Sequence, residues 1–308
     1  MRGWLTVLML LPLLTSAQMR VGRQQRFHSA MPPGNYSGIT ALGSDRFLLV
    51  DDKAPHDGFY RYHIVIDTLS GKIRGVENEG FLPVGSVNGD MEAVAYVPAL
   101  NTIFACSEAR NEIVGYPVDG GRAVCSVQMP DVYTRASSSY GLESLTYDAS
   151  SQLLWTTTER PVRGDSLLRL QSFDLTLLPR RQYAYRIDEP QYLPKGGRYV
   201  HGVSELCALG DGRLLVMERE VYVPKKKIGA RVHVKIYEVQ PSWLEQLPKR
   251  LVCEFTTKMN LTSRSFANYE GMCVAHRYGD GRVLLLLVAD SQGRYKGVVR
   301  DWLRTIIL

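Results

Sequence analysis

A β-propeller, a closed ring of four-stranded antiparallel sheets, is the fold this chain predicts, and three observations predict it. A hairpin unit recurs five times, strand signals run nearly end to end with almost no helical periodicity, and the units recur at intervals of about 50–65 residues, room for four strands each. Each unit opens on a small or acidic residue at the start of an apolar strand, turns through Gly, Asp, Asn or Pro, and returns as a second strand ending in an acid and then usually a base. The expected architecture is all-β with five blades; six, one of them degenerate, is the alternative.

The third copy shows the unit most clearly: Gly141-Leu142-Glu143-Ser144-Leu145-Thr146-Tyr147, a turn at Asp148–Ser151, then Leu153–Thr158 closing on Glu159-Arg160. The first runs from Ser37-Gly38-Ile39 to Val50-Asp51-Asp52-Lys53. The second runs from Met91-Glu92-Ala93 to Ser107-Glu108, with Arg110 following. The fourth joins Val203-Ser204-Glu205-Leu206 to Met217-Glu218-Arg219, and the fifth joins Tyr269-Glu270-Gly271-Met272 to Ala289-Asp290, with Arg294 beyond. A tight turn brings the start of the first strand and the end of the second to one end of the hairpin. That geometry pairs Glu92 with Glu108, Glu143 with Glu159, Glu205 with Glu218 and Glu270 with Asp290, while Asp51 and Asp52 stand opposite Ser37 and Gly38.

Taken in order, Met1 to about Ala17 carries Arg2, an apolar run Trp4–Leu14 broken only by Thr6, and a small-residue exit Thr15-Ser16-Ala17. This reads as a secretory signal peptide, too short for a membrane span, with an uncleaved anchor as the alternative. The expected location is therefore the periplasm or the exterior, with no transmembrane segment after cleavage. Residues 18–308 form one expected domain, since no Pro/Ser/Gly-rich linker divides them and the repeats reach almost both ends. Third strands are expected at Tyr62–Thr68, Ile113–Pro117, Leu167–Phe173 and Val232–Val239. Fourth strands are expected at Ala123–Met129, Arg181–Ile187 and Arg250–Thr256. A short helical turn is expected at Pro241–Leu247. The last repeat has its third strand at Trp302–Leu308 and lacks a fourth, which the segment Arg20–His28 can supply to lock the ring.

The apolar content of 45% suits a globular protein. The formal charge of +6 is dispersed over clusters such as Arg180-Arg181, Lys225-Lys226-Lys227 and Lys249-Arg250, which read as solvated loops; no nucleic-acid motif accompanies them. The five cysteines, Cys106, Cys125, Cys207, Cys253 and Cys273, are odd in number and form no CxxC pair, which argues against a disulfide framework. One bridge, Cys106 to Cys125, is compatible with an oxidising compartment.

The ordered series Ser37-Gly38-Ile39, Met91-Glu92-Ala93, Gly141-Leu142-Glu143-Ser144-Leu145, Gly202-Val203-Ser204-Glu205-Leu206 and Tyr269-Glu270-Gly271-Met272, with the closing stretches Thr158-Glu159-Arg160, Met217-Glu218-Arg219 and Val288-Ala289-Asp290-Ser291, resembles the phytase-like β-propeller family over about residues 30 to 300. That family is also described as having the esterase-like activity of phytase. The resemblance implies a repeated set of Asp and Glu residues, hydrolysis of phosphoesters such as phytate, and export. This chain departs from the pattern at Met91-Glu92, where Pro-Glu-Gly is usual, and at Gly141-Leu142-Glu143-Ser144, where Glu-Gly is common.

In a propeller the acids at the strand ends gather on one face around the channel, where like charges repel and raise one another's pKa until something positive neutralises them. Two neutralisers are available. Lys53, Arg110, Arg160, Arg219 and Arg294 follow the acids and can form an alternating charge ring that fixes blade register without a ligand. Alternatively a divalent cation, with calcium the expected one, takes carboxylate oxygens and bridges to substrate phosphate, which the same basic residues clamp. The candidate catalytic residues are Glu92, Glu143, Glu159, Glu205 and Glu270, and the candidate metal ligands are Asp51, Asp52, Glu108, Glu218 and Asp290. His201 and His56 are expected near the acidic face, and either could serve as a general acid. No G-x-S-x-G elbow, P-loop, HExxH or EF-hand loop occurs. The expected function is a secreted, metal-assisted hydrolase of a phosphorylated small molecule. The alternative is a non-catalytic envelope propeller that binds a ligand or a protein, and a lactonase-like calcium hydrolase ranks last because the Asn/His ligand set is missing.

Overall fold

Apolar residues on both faces of the inner strands and short turns of Gly, Asp and Asn fold each repeat into a meander whose consecutive strands pair in order. The computed structural model describes residues 19–85, 87–191, 196–260, 264–293 and 299–308, so the expected signal peptide lies outside the described residues. Ahead of the first blade runs β1 (Arg20–Val21). Blade 1 is β2 (Tyr36–Gly43), β3 (Arg46–Asp51), β4 (Gly58–Asp67) and β5 (Lys72–Pro83), and blade 2 is β6 (Met91–Val97), β7 (Thr102–Ser107), β8 (Glu112–Pro117) and β9 (Cys125–Ser126). Blade 3 is β10 (Leu142–Asp148), β11 (Leu153–Thr158), β12 (Leu168–Phe173) and β13 (Pro179–Tyr185); blade 4 is β14 (Arg198–Ala208), β15 (Leu214–Val223), β16 (Ala230–Val239) and β17 (Lys249–Met259). Blade 5 is β18 (Asn268–Arg277), β19 (Val283–Asp290) and β20 (Leu303–Ile307), completed by β1.

The ring closes as the missing fourth strand required. Arg20 pairs with Ile307 and Val21 with Ile306, the amide of Gly22 donates to Thr305 O (2.8 Å), and that of Gln25 donates to Leu303 O (2.9 Å). Gln25 then staples blade 5 to blade 1, its Nε2 donating to Ile73 O (2.8 Å) and its Oε1 accepting from Ile73 N (2.9 Å). The innermost strands β2, β6, β10, β14 and β18 contact one another around the channel. Between the blades lie five apolar clusters, one per interface, centred on residues such as Leu48 and Ile103 between blades 1 and 2 or Met217 and Leu285 between blades 4 and 5. The sheets therefore stack like layers of a core instead of enclosing one.

Five blades form, so the six-blade alternative is set aside. Strand β5 was not foreseen, because Gly75, Gly80 and a run of exposed polar residues on this outer edge give no clean alternation. The helical turn expected at Pro241–Leu247 is irregular, bending backbone instead: Gln246 forms a parallel bridge with Ala184, and Leu247 N donates to Ala184 O (3.0 Å). All five cysteines are free. The bridge weighed between Cys106 and Cys125 is excluded by topology, since Cys106 lies on β7, Cys125 on β9, and β8 runs between them. Two strand spacings separate them by about 10 Å, beyond disulfide reach.

Candidate functional site

Each innermost strand carries a β-bulge at the same place. The register skips between Tyr36 and Gly38, Met91 and Ala93, Leu142 and Ser144, Val203 and Glu205, and Tyr269 and Gly271. The extra residue of a bulge is freed from the ladder and its side chain is re-aimed. Those residues are Ser37, Glu92, Glu143, Ser204 and Glu270. On the neighbouring second strands, one residue beyond the partner of the residue before each bulge, stand Asp52, Glu108, Glu159, Arg219 and Asp290. The acids of both series, with Lys53 and Arg219, line one cavity of about 910 Å³ at the mouth of the channel. Close blade contact is built in by glycine: a Cβ on Gly38 would lie 2.7 Å from Ala93 Cα, and one on Gly202 would lie 2.5 Å from Glu159 Cγ.

Blade 4 is out of step with the others by one residue. Val203 pairs with Glu218, and Glu205 pairs with Met217, so Glu205 and Glu218 are not the facing pair that the hairpin geometry predicted. A one-residue shift turns a strand's side chains to the opposite face. Arg219 consequently occupies the place of the acids in the other blades, and Ser204 occupies the place of the bulged glutamates. The Arg219 guanidinium reaches Glu143 (3.0 Å) and Glu159 (3.1 Å) through one terminal nitrogen and Glu270 through the other, with only 7% of its side chain exposed. Burial disfavours its charge, but the three carboxylates outweigh this and hold it firmly protonated.

The structure sends the remaining sequence-selected residues elsewhere. Glu205 does not line the cavity: it is 1% exposed, its Oε1 accepts from the amides of Leu206 (2.9 Å) and Leu145 (3.3 Å), and its Oε2 has no hydrogen-bond partner. Glu218 lies on the face of β15 turned toward blade 3, accepting from Tyr185 Oη (2.6 Å), Lys249 Nζ (2.5 Å) and Asp188 N (3.1 Å). Asp51 turns to the other face of β3 from Asp52 and accepts from the Lys53 amide (3.1 Å). Arg110 pairs with Glu112 and stands 3.6 Å from Asp57, and Arg160 lies over the Tyr140 ring at 3.7 Å, so neither joins an alternating charge ring. Arg294 lies outside the described residues. His201 pairs across the sheet with Glu220, on the face of β14 opposite the cavity, where burial lowers its pKa; His56 is exposed and does not line the cavity.

Among the described residues the cavity holds more acid than base. Lys53 Nζ contacts Asp52 Oδ2 (2.6 Å) and Asp90 Oδ1 (2.5 Å), Arg219 takes Glu143, Glu159 and Glu270, and no described basic side chain stands within ion-pair distance of Glu92, Glu108 or Asp290. Burial is the main cause of the resulting pKa shifts. It pushes Asp52 up to about 6 against the pull of Lys53, and Glu108 up to about 7 against the Gly141 amide, which donates to it. Burial and neighbouring carboxylates also raise Glu92, Glu143 and Asp290 well above the ordinary range.

A divalent cation fits this chemistry. Oxygens of Asp52, Asp90 and Glu92 lie within 4.8 Å of one another, Asp52 Oδ1 is buried without a partner, and the Lys53 ammonium already places positive charge against two of the three. An all-carboxylate set suits a hard cation such as calcium. Asp90 escaped sequence reading because it belongs to no repeat: the turn Asn88-Gly89-Asp90 places it, with Asp90 N donating to Asn88 Oδ1 (2.7 Å).

Residues 31–292 match the family model described as phytase-like, esterase-like activity of phytase. The chain belongs to the phytase-like family. No curated protein matches it in sequence. Among solved structures, this phytase-like propeller is similar to the endo-arabinase of Bacteroides thetaiotaomicron, at 12% identity over 90% of this chain and 95% of that one, with a TM-score of 0.49. It is also similar to the catalytic domain of the Coprinopsis cinerea α-L-arabinofuranosidase, at 12% identity over 93% and 96% of the two chains, with a TM-score of 0.47. A putative 6-phosphogluconolactonase from Bacteroides uniformis aligns at 9% identity over 87% and 84%, with a TM-score of 0.38. Nothing about chemistry follows from likenesses at this distance.

Proposed function

We propose that this phytase-like propeller is an exported, divalent-cation-dependent phosphoester hydrolase acting at the mouth of its channel. The observation that carries the reading is the surplus of carboxylates there, with Glu92, Glu108 and Asp290 lacking a described basic partner. A phosphate, itself anionic, has no place against such a floor unless a cation bridges the two. Asp52, Asp90 and Glu92 would hold that cation. When bound, it supplies a Lewis acid for a phosphoryl oxygen and makes a nearby water more acidic. Glu108, lifted to about 7, is suited to take the proton of an attacking water near neutral pH, and Arg219 fixes Glu143, Glu159 and Glu270 in place. Export rests on the apolar N-terminal stretch.

The test is phosphate release from a panel of phosphomonoesters and phosphodiesters with calcium present and after chelation. Glu108→Gln is expected to lower the rate by about 10²–10⁴-fold and to remove the limb of the pH profile near 7. Asp52→Asn is expected to raise the calcium concentration required. Absence of release by the wild-type protein across the panel between about pH 5 and 9 would leave a cation-binding, non-catalytic propeller, a reading favoured by the self-neutralised half of the cavity around Arg219.

A further inference from the structure

Blade 4 is longer than its neighbours. Strands β14 and β15 run for 11 and 10 residues, against 7 and 6 for the corresponding β10 and β11 of blade 3. The ladder continues past Gly202 and Arg219 through Val200 opposite Val221 to Arg198 opposite Val223. Because side chains alternate faces along a strand, Val221 and Val223 share the cavity face of Arg219, and Val200 and Arg198 share it on β14. These four residues, with Phe266 on the adjoining loop, line the same cavity as the acids. The tip of the extension is the Lys225-Lys226-Lys227 turn, where Lys225 also lines the cavity and is exposed. The cavity thus has an acidic floor, an apolar wall and a basic rim, and four residues of strand from Arg219 to Val223 separate floor from rim by about 13 Å.

We propose that this extension selects the substrate of the reading above: a phosphoester whose non-reacting end carries a second anionic group, separated from the reacting phosphate by an apolar segment. The floor takes the reacting phosphate through its cation, Val200, Val221 and Val223 cover the apolar segment, and Arg198 and Lys225 receive the far anion. The order of the three surfaces carries the argument. A compact phosphoester satisfies the floor alone, and a fully polar polyanion leaves the valine wall against charge. An anion at both ends of an apolar spacer matches all three, with the two long basic side chains closing the remaining distance.

This deepens the hydrolase reading and rests on it, so the probes are non-hydrolysable: hexane bisphosphonate, hexylphosphonate and methylphosphonate, titrated calorimetrically into the calcium-loaded protein. The expected order is bisphosphonate tighter than hexylphosphonate by about tenfold, and hexylphosphonate tighter than methylphosphonate. Arg198→Ala with Lys225→Ala is expected to erase the first step while leaving hexylphosphonate affinity, calcium affinity and melting temperature unchanged. Equal binding of bisphosphonate and hexylphosphonate, or a preference that survives the double variant, overturns the rim assignment and leaves the hydrolase reading standing. If hexylphosphonate and methylphosphonate bind equally, the apolar wall is overturned. Failure of every phosphonate to bind the calcium-loaded protein overturns both readings together.

Discussion

Arg219→Ala is expected to destabilise the propeller by about 3–5 kcal/mol, the usual cost of removing one member of a buried ion-pair network and leaving the other charges uncompensated. In a domain of this size that lowers the melting temperature by roughly 5–8 °C. The reason is specific to this ring: one guanidinium, 7% exposed, serves Glu143, Glu159 and Glu270 at once, and these come from blades 3 and 5 while Arg219 comes from blade 4. The loss should depend on pH with a defined sign. Glu143 and Glu270 already lie above the ordinary carboxylate range because they are buried, and removing Arg219 raises them further. A group with a raised folded-state pKa binds more protons folded than unfolded, so stability is present below the unfolded pKa and is lost as pH rises toward the folded one. Thermal denaturation should therefore show a larger deficit at pH 8 than at pH 5. An equal deficit at both would mean that the carboxylates are neutralised by something other than Arg219.

Glu205 supplies the second large effect. Glu205→Ala strips the acceptor from the Leu145 and Leu206 amides and opens a void in the buried interior. An unsatisfied buried amide costs about 1–3 kcal/mol and the void adds to it, so the expected loss is about 3–6 kcal/mol. Glu205→Gln should cost no more than about 1 kcal/mol, because burial raises the carboxyl well above its usual range and an amide oxygen can accept the same two bonds. Chemical denaturation of the two variants separates the cases. Equal damage from alanine and glutamine would show that Glu205 is needed as an anion, which would return it to the catalytic set where the sequence placed it.

The contrast between Glu205 and Arg219 explains how much could be read without a structure. Five blades, their strand order and closure by the N-terminal strand were legible, because turn chemistry and apolar alternation repeat at intervals fixed by four strands. The convergence of Asp52, Glu92, Glu108, Glu143, Glu159, Glu270 and Asp290 was also legible, since every hairpin delivers its two ends to one place. Blade 4 was misaligned by one residue because Glu218-Arg219 imitates Glu159-Arg160, and because Leu215, Val216 and Met217 are apolar on both faces and conceal the parity. Asp51 was ambiguous for the same reason, with Asp52 beside it on the opposite face. Asp90 and the cavity-facing role of Lys225 lie in turns, where no period exists to be read; their placement depends on long-range approach of loops to the channel.

The most direct test of the account is a calorimetric calcium titration of the protein and of Asp52→Asn, each at pH 8 and pH 5.5. Asp52 at about 6, and Glu92 raised well above the ordinary range by burial, must both shed protons to hold a cation, so binding should be saturable at pH 8, release protons, and weaken at least about tenfold at pH 5.5. Asp52→Asn should bind weakly at both. Absence of binding at millimolar calcium at pH 8, or affinity unchanged by Asp52→Asn, would contradict the account and leave the acidic mouth to be neutralised by the protein's own basic side chains, Arg219 and Lys53 among them.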